Sequence, residues 1–142
     1  MNIIRGPIEV KRSGGQTQQT FVVAGAVVSC SCGNMRTRLT MPLSHGVSIK
    51  GKPQLTVEDY KPYQNIMPFG MCCTIQNPEV NAATTANENV LRPMPCKPVI
   101  QMPWTHGKQD KLIEGKPALL SPSTTTCQYN GIISIEDDGQ EM

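Results

Sequence analysis

Aromatic residues are scarce in this 142-residue chain: one Trp, three Tyr and two Phe make up 4% of it. That scarcity excludes a thick hydrophobic core, although a chain of this length still buries roughly two thirds of its unfolded surface on folding. Long apolar runs are missing too. No stretch approaches the roughly 20 residues of a membrane-spanning helix, and Arg5, Pro7 and Glu9 interrupt the place where a signal core would stand. The cytosol is therefore the expected place of synthesis and residence. Net charge is only +2, with Lys and Arg scattered along the chain. Such a balance offers no massed basic surface, so nucleic acid and stable membrane anchoring are not expected among its partners. Enzyme signatures are absent as well: there is no Gly-x-Ser-x-Gly elbow, no phosphate-cradling glycine loop and no His-Glu-x-x-His helix. A non-enzymatic role is the expectation.

What the chain does have is turns and sulfur. Its 12 Gly and 12 Pro exceed the usual combined share of roughly 12%, which predicts many turns and little helix. Its six cysteines fall within a loose internal duplication. Cys30 and Cys32 are followed by Ser44-His45-Gly46, then Ile49-Lys50-Gly51-Lys52-Pro53-Gln54-Leu55, then Cys72 and Cys73. Cys96 opens the second round, followed by Thr105-His106-Gly107, Ile113-Glu114-Gly115-Lys116-Pro117-Ala118-Leu119 and Cys127. Soft ligands recurring around a shared turn suggest two similar β-rich halves converging on one structural metal.

Residues 1–19 read as an N-terminal extension, a strand candidate over 2–10 joined by the polar run 13–19 to a domain over 20–142. The β-branched segment 20–30 predicts a central strand. Shorter strands are predicted over 46–50, 54–58, 97–101, 110–113, 117–120 and 131–135. Asn77-Pro78-Glu79 offers an N-cap, a proline at the first helical position and an early acid, which predicts a helix over 77–88. Pro93, Pro95, Pro98 and Pro103 then hold the chain extended, and the acidic tail from 136 should fray. The fold class is mainly β, a small single domain of short strands with one short helix.

Reduced cytosolic thiols favour metal over disulfides. Export by a route without a signal peptide would favour disulfides instead, and buried inert thiols are a third reading. No Cys-x-x-Cys knuckle is present, so the ligand set is spread over the chain. The cysteines that stand singly or first in their pair, Cys30, Cys72, Cys96 and Cys127, form one candidate set, and a mixed set brings in His45 or His106. Asp59, Asp110, Asp137 and Asp138 are read as carboxylates of solvent-facing turns. Alternative functions are a small zinc- or thiol-dependent enzyme, using Cys72 or Cys73 with His45 or His106, and a disulfide-stapled secreted binding module.

Val23-Ala24-Gly25-Ala26 leading to Cys30, then Asp59, Asn65-Ile66-Met67-Pro68-Phe69-Gly70-Met71-Cys72 and Asn77-Pro78, form a run of short motifs. The order continues with Pro93-Met94-Pro95-Cys96-Lys97-Pro98, Pro103-Trp104, Gly115-Lys116-Pro117-Ala118-Leu119, residues 123–127, Gly131-Ile132-Ile133 and Gly139-Gln140. Over residues 20–140 this resembles the PAAR-like proteins of bacterial contractile injection systems. Literal Pro-Ala-Ala-Arg repeats are missing, and cysteine stands where better-known tips of that type use mainly histidine.

The resemblance implies a small β-rich cone capping the trimeric valine-glycine-repeat spike of a type VI secretion or related phage-tail-like machine. It implies an apex pinned by structural zinc, effector proteins as further partners, and a cytoplasmic protein later injected without a signal peptide. A tapering apex has too few neighbours to bury side chains, so a metal would replace the missing core.

Overall fold

A computed structural model of the chain describes residues 19–140; the strand expected over 2–10 lies outside them. The described chain is mainly β, with one helix. Ten strands follow in order: β1 (Val27–Cys30), β2 (Thr37–Arg38), β3 (Ser48–Ile49), β4 (Lys52–Pro53), β5 (Met71–Cys72), β6 (Met94–Pro95), β7 (Lys108–Ile113), β8 (Lys116–Ala118), β9 (Thr124–Thr126) and β10 (Ile132–Asp137), with α1 (Pro78–Ala86) between β5 and β6.

The two Gly-Lys-Pro motifs are two copies of one hairpin. β3 pairs with β4 across Lys50-Gly51, and β7 with β8 across Glu114-Gly115. Both loop residues are left-handed in each case, with φ of 52° and 78° in the first and 52° and 79° in the second. That is the type I′ geometry, whose twist matches the strands it joins and whose second position favours glycine. The second copy carries Gln109-Asp110-Lys111 between the equivalents of Val47 and Ser48, and there the β7–β8 register shifts. Each hairpin delivers a buried leucine, Leu55 and Leu119.

These two segments close on a third that shares no sequence pattern with them. Val22 N–H donates to Leu119 C=O (3.0 Å), Leu119 N–H to Leu55 C=O (2.9 Å), and Leu55 N–H back to Val22 C=O (3.1 Å). A second circuit runs the other way round: Ala24 N–H to Pro53 C=O, Val57 N–H to Pro117 C=O and Ser121 N–H to Thr20 C=O. Antiparallel bridges Phe21–Leu120, Val23–Gln54 and Thr56–Ala118 flank the three corners. The same turn then ends each segment, with Ala26, Asp59 and Ser123 donating to the carbonyls of Val23, Thr56 and Leu120. One chain thus builds a ring of threefold pseudosymmetry. Val22, Leu55 and Leu119 are each fully buried and all join one hydrophobic cluster with Phe69, Trp104 and Ile133.

Two arms of the ring lead directly into a four-stranded sheet of order β2-β1-β10-β9. From the turn at Ala26, β1 runs to Cys30; from the turn at Ser123, β9 runs to Thr126 and then Cys127. Four residues of strand at roughly 3.3 Å each carry the chain about 13 Å from ring to cysteine. The second arm takes a longer route through Phe69 to β5, which ends at Cys72.

Several expectations are corrected here. The strand expected over 20–30 is broken, because Gly25 at φ 98° turns the chain between the ring and β1. Residues 97–101 are extended but pair with no strand, and β2, β5, β6 and β9 are too short to carry a pattern. The tail does not fray at 136: β10 continues to Asp137, and Gly139 packs so closely on Ala26 that a Cβ would stand 2.8 Å from its nitrogen. The helix begins as expected, with Asn77 Oδ1 accepting from Glu79 N–H at 3.0 Å.

Candidate functional site

Five of the six cysteines line one pocket. Cys30, Cys32, Cys72, Cys96 and Cys127 surround it with Gly33, Asn77, Lys97, Tyr129 and Gly131. The cavity is about 10 Å³, near the size that admits one water. Four segments distant in sequence supply the sulfur: the end of β1 and its following turn, the end of β5, the residue after β6, and the residue after β9. Cys96 N–H donates to Gly70 C=O (2.7 Å) and Cys127 N–H to Gly131 C=O (2.8 Å), which fixes both backbones. Gly131 leaves the room, since a Cβ there would lie 2.6 Å from Cys30 Sγ and 3.6 Å from Cys32 Sγ.

Burial disfavours the ionised form of three of these thiols, Cys30, Cys32 and Cys96. Burial pushes Cys30 up to about 11, with ionised Cys32, Cys127 and Cys96 adding repulsion against a lesser backbone hydrogen bond. Burial likewise raises Cys32 and Cys96, each also opposed by neighbouring thiols. A thiol nucleophile needs the reverse, a depressed value and exposure.

The sequence-level candidates Cys30, Cys72, Cys96 and Cys127 therefore stand together, with Cys32 as a fifth member that had been passed over as second in its pair. Cys73 is exposed and does not line the pocket. In kind, the donors fit a thiophilic cation: sulfur lines the pocket and no carboxylate does. In placement the fit is incomplete, because among the described residues no three His, Cys, Asp or Glu side chains are arranged to hold a metal ion. A closed tetrahedral shell would need these thiols to converge on one centre. Cys30, Cys96 and Cys127 also pack against the hydrophobic cluster, as inert core thiols do.

Neither histidine lines this pocket. His106 is exposed, with Nδ1 2.9 Å from Thr105 Oγ1. His45 instead joins two arms of the ring. Its Nε2 lies 2.9 Å from Asp59 Oδ2, and its Nδ1 bonds Glu114 in the second hairpin loop. Asp59 is no solvent-facing carboxylate, being 6% exposed. It accepts from Thr56 N–H at 2.7 Å, the place in the third arm taken by Ser123 Oγ, which accepts from Leu120 N–H at 3.3 Å. In the first arm Ala26 has no such group, and Val23 N–H donates to Asp138 C=O instead.

A family model described as a domain of unknown function, DUF4280, matches residues 22–140. The chain belongs to that family. No curated protein and no solved structure matches it at a significant level. The DUF4280 match opens at Val22, the first ring donor, and ends at Gln140, whose Nε2 donates to Phe21 C=O at 2.6 Å. The family region thus takes in Val22, Leu55 and Leu119, the four-stranded sheet and all six cysteines. No helix among the described residues is long and apolar enough to cross a membrane.

The His45 contacts generate a pH dependence. Desolvation lowers its pKa, but the hydrogen bonds and charges of Asp59 and Glu114 outweigh that and hold it above the ordinary 6.5. Asp59 supplies most of this, because the Glu114 side chain is 63% exposed and screened. A folded pKa above the unfolded one means the stabilisation is complete below about pH 6.5 and is lost as pH rises through the folded value. Denaturant unfolding of wild type and His45→Gln between pH 6 and 9 should show the wild-type advantage shrinking with rising pH, at no more than about 1.4 kcal/mol per pH unit for one proton. A constant or growing advantage would contradict the ionic contact.

Proposed function

We propose that this DUF4280 chain is a PAAR-like spike-tip protein. It caps the trimeric valine-glycine-repeat spike of a type VI secretion or related contractile injection system, sharpens it for envelope puncture and couples it to separately carried effectors. The observation that carries this reading is the ring. A trimer offers three equivalent contacts around its axis, and a single chain can meet all three alike only by repeating its own geometry three times. The ring repeats it in the main chain, at Val22, Leu55 and Leu119. The order of motifs shared with PAAR-like proteins supports the same role.

In this reading the sulfur pocket is structural. Cys30, Cys72, Cys96 and Cys127, with Cys32 beside them, would hold zinc, which would tie the ends of β1 and β5 to the residues after β6 and β9. Zinc bound there would add its binding free energy directly to folding, which matters in a chain with few aromatics. Burial that raises Cys30 and Cys96 weighs against a thiol enzyme, and bound zinc would displace the protons of its thiol ligands. The protein would stay cytoplasmic until fired.

Native mass spectrometry of the chain mixed with a purified trimeric valine-glycine-repeat spike protein should give one chain per three spike chains. No complex, or three chains per trimer, would contradict the cap. For the metal, reduced tag-free protein should carry about one zinc per chain by elemental mass spectrometry. Removal by a strong chelator should lower the thermal midpoint by more than about 10 °C. Metal-free protein with an unchanged midpoint would remove zinc and leave the cap resting on the ring.

A further inference from the structure

Cys73 is the cysteine that the pocket does not use, and its position opposite Cys32 gives it a partner. An antiparallel bridge joins Gly33 to Cys72. It is flanked by Asn34 N–H donating to Met71 C=O (3.1 Å) and Cys73 N–H donating to Cys32 C=O (3.0 Å). Cys32, in the turn after β1, and Cys73, just past β5, stand opposite each other beside that bridge; Cys32 lines the pocket and would turn out of it to meet the exposed Cys73. Such pairs hold their Cα atoms about 5.5 Å apart, inside the roughly 4.4–6.8 Å window of disulfides. Gly33 holds the turn after β1 in place, packed so closely on Phe69 that a Cβ would lie 2.5 Å from Phe69 Cβ. Cys73 is exposed and Cys32 half-buried, so a small oxidant reaches the pair from solvent.

We propose that Cys32 and Cys73 are a disulfide-forming pair, oxidised by exchange with a low-molecular-weight disulfide. The exposed Cys73 thiolate attacks one sulfur of that disulfide, forming a mixed disulfide and releasing the first small thiol. Cys32 Sγ, giving up its proton to solvent, then attacks Cys73 Sγ within the mixed disulfide, where proximity offsets its raised pKa, closing the intramolecular S–S bond and releasing the second small thiol. The protein gives up two electrons and two protons, and the small disulfide becomes two thiols. The bond ties the turn after β1 to β5. It also withdraws Cys32 from the pocket, leaving Cys30, Cys72, Cys96 and Cys127 as its thiols.

The test is to expose the folded full-length chain to oxidised glutathione, block remaining thiols with iodoacetamide, digest, and map linkages by tandem mass spectrometry. The alkylatable thiols should fall by two, with Cys32 linked to Cys73. Cys73→Ser, a change at an exposed side chain, should retain its thiols under the same treatment. Wild type that keeps all six thiols, or that links any other pair, overturns the proposal. These outcomes do not depend on spike binding, so this pair and the cap fail or stand separately.

Discussion

Three main-chain hydrogen bonds, from Val22 to Leu119, Leu119 to Leu55 and Leu55 to Val22, set the constraint that the rest of the molecule obeys. A two-stranded hairpin alone is marginal in water, and the chain has little aromatic surface with which to bury one. Closing three short segments on each other gives each central residue one partner on either side. It also places Val22, Leu55 and Leu119 in one buried cluster. The contacts join residues 33, 64 and 97 positions apart, so this ring forms only once the whole domain has assembled.

From the ring outward, the design trades apolar volume for specific contacts. One amide in each segment is satisfied differently, by the Asp138 carbonyl past β10 in the first, and in the second and third by the Asp59 carboxylate and the Ser123 hydroxyl of the turn that ends the segment. His45 gives the buried Asp59 a cationic partner, without which a charge in that position would be costly. At the far ends of β1, β5 and β9 cysteines gather at the edge of the cluster, and Cys30 and Cys127 pack against it.

Much of this was legible, unevenly. Ile-Lys-Gly-Lys-Pro and Ile-Glu-Gly-Lys-Pro announced their hairpins because a type I′ turn selects glycine at its second loop position, and Asn77-Pro78 announced α1 because a cap and a first-turn proline are local chemistry. Duplication was visible but triplication was not. Phe21-Val22-Val23 meets Gln54-Leu55-Thr56 and Ala118-Leu119-Leu120 through backbone groups, which every residue carries, so no residue code marks the third arm. Convergence of Cys30, Cys72, Cys96 and Cys127 agreed with their spacing around the repeats. Cys32 was missed because its role depends on the turn after β1, and Asp59 was misread because only the ring buries it.

Native-state hydrogen exchange at the Val22, Leu55 and Leu119 amides tests the ring most directly, since groups broken only by global opening share one protection level. The account predicts that all three fall in the slowest-exchanging class with matched protection. Rapid exchange at any one of them, with the other two protected, would contradict a closed threefold ring.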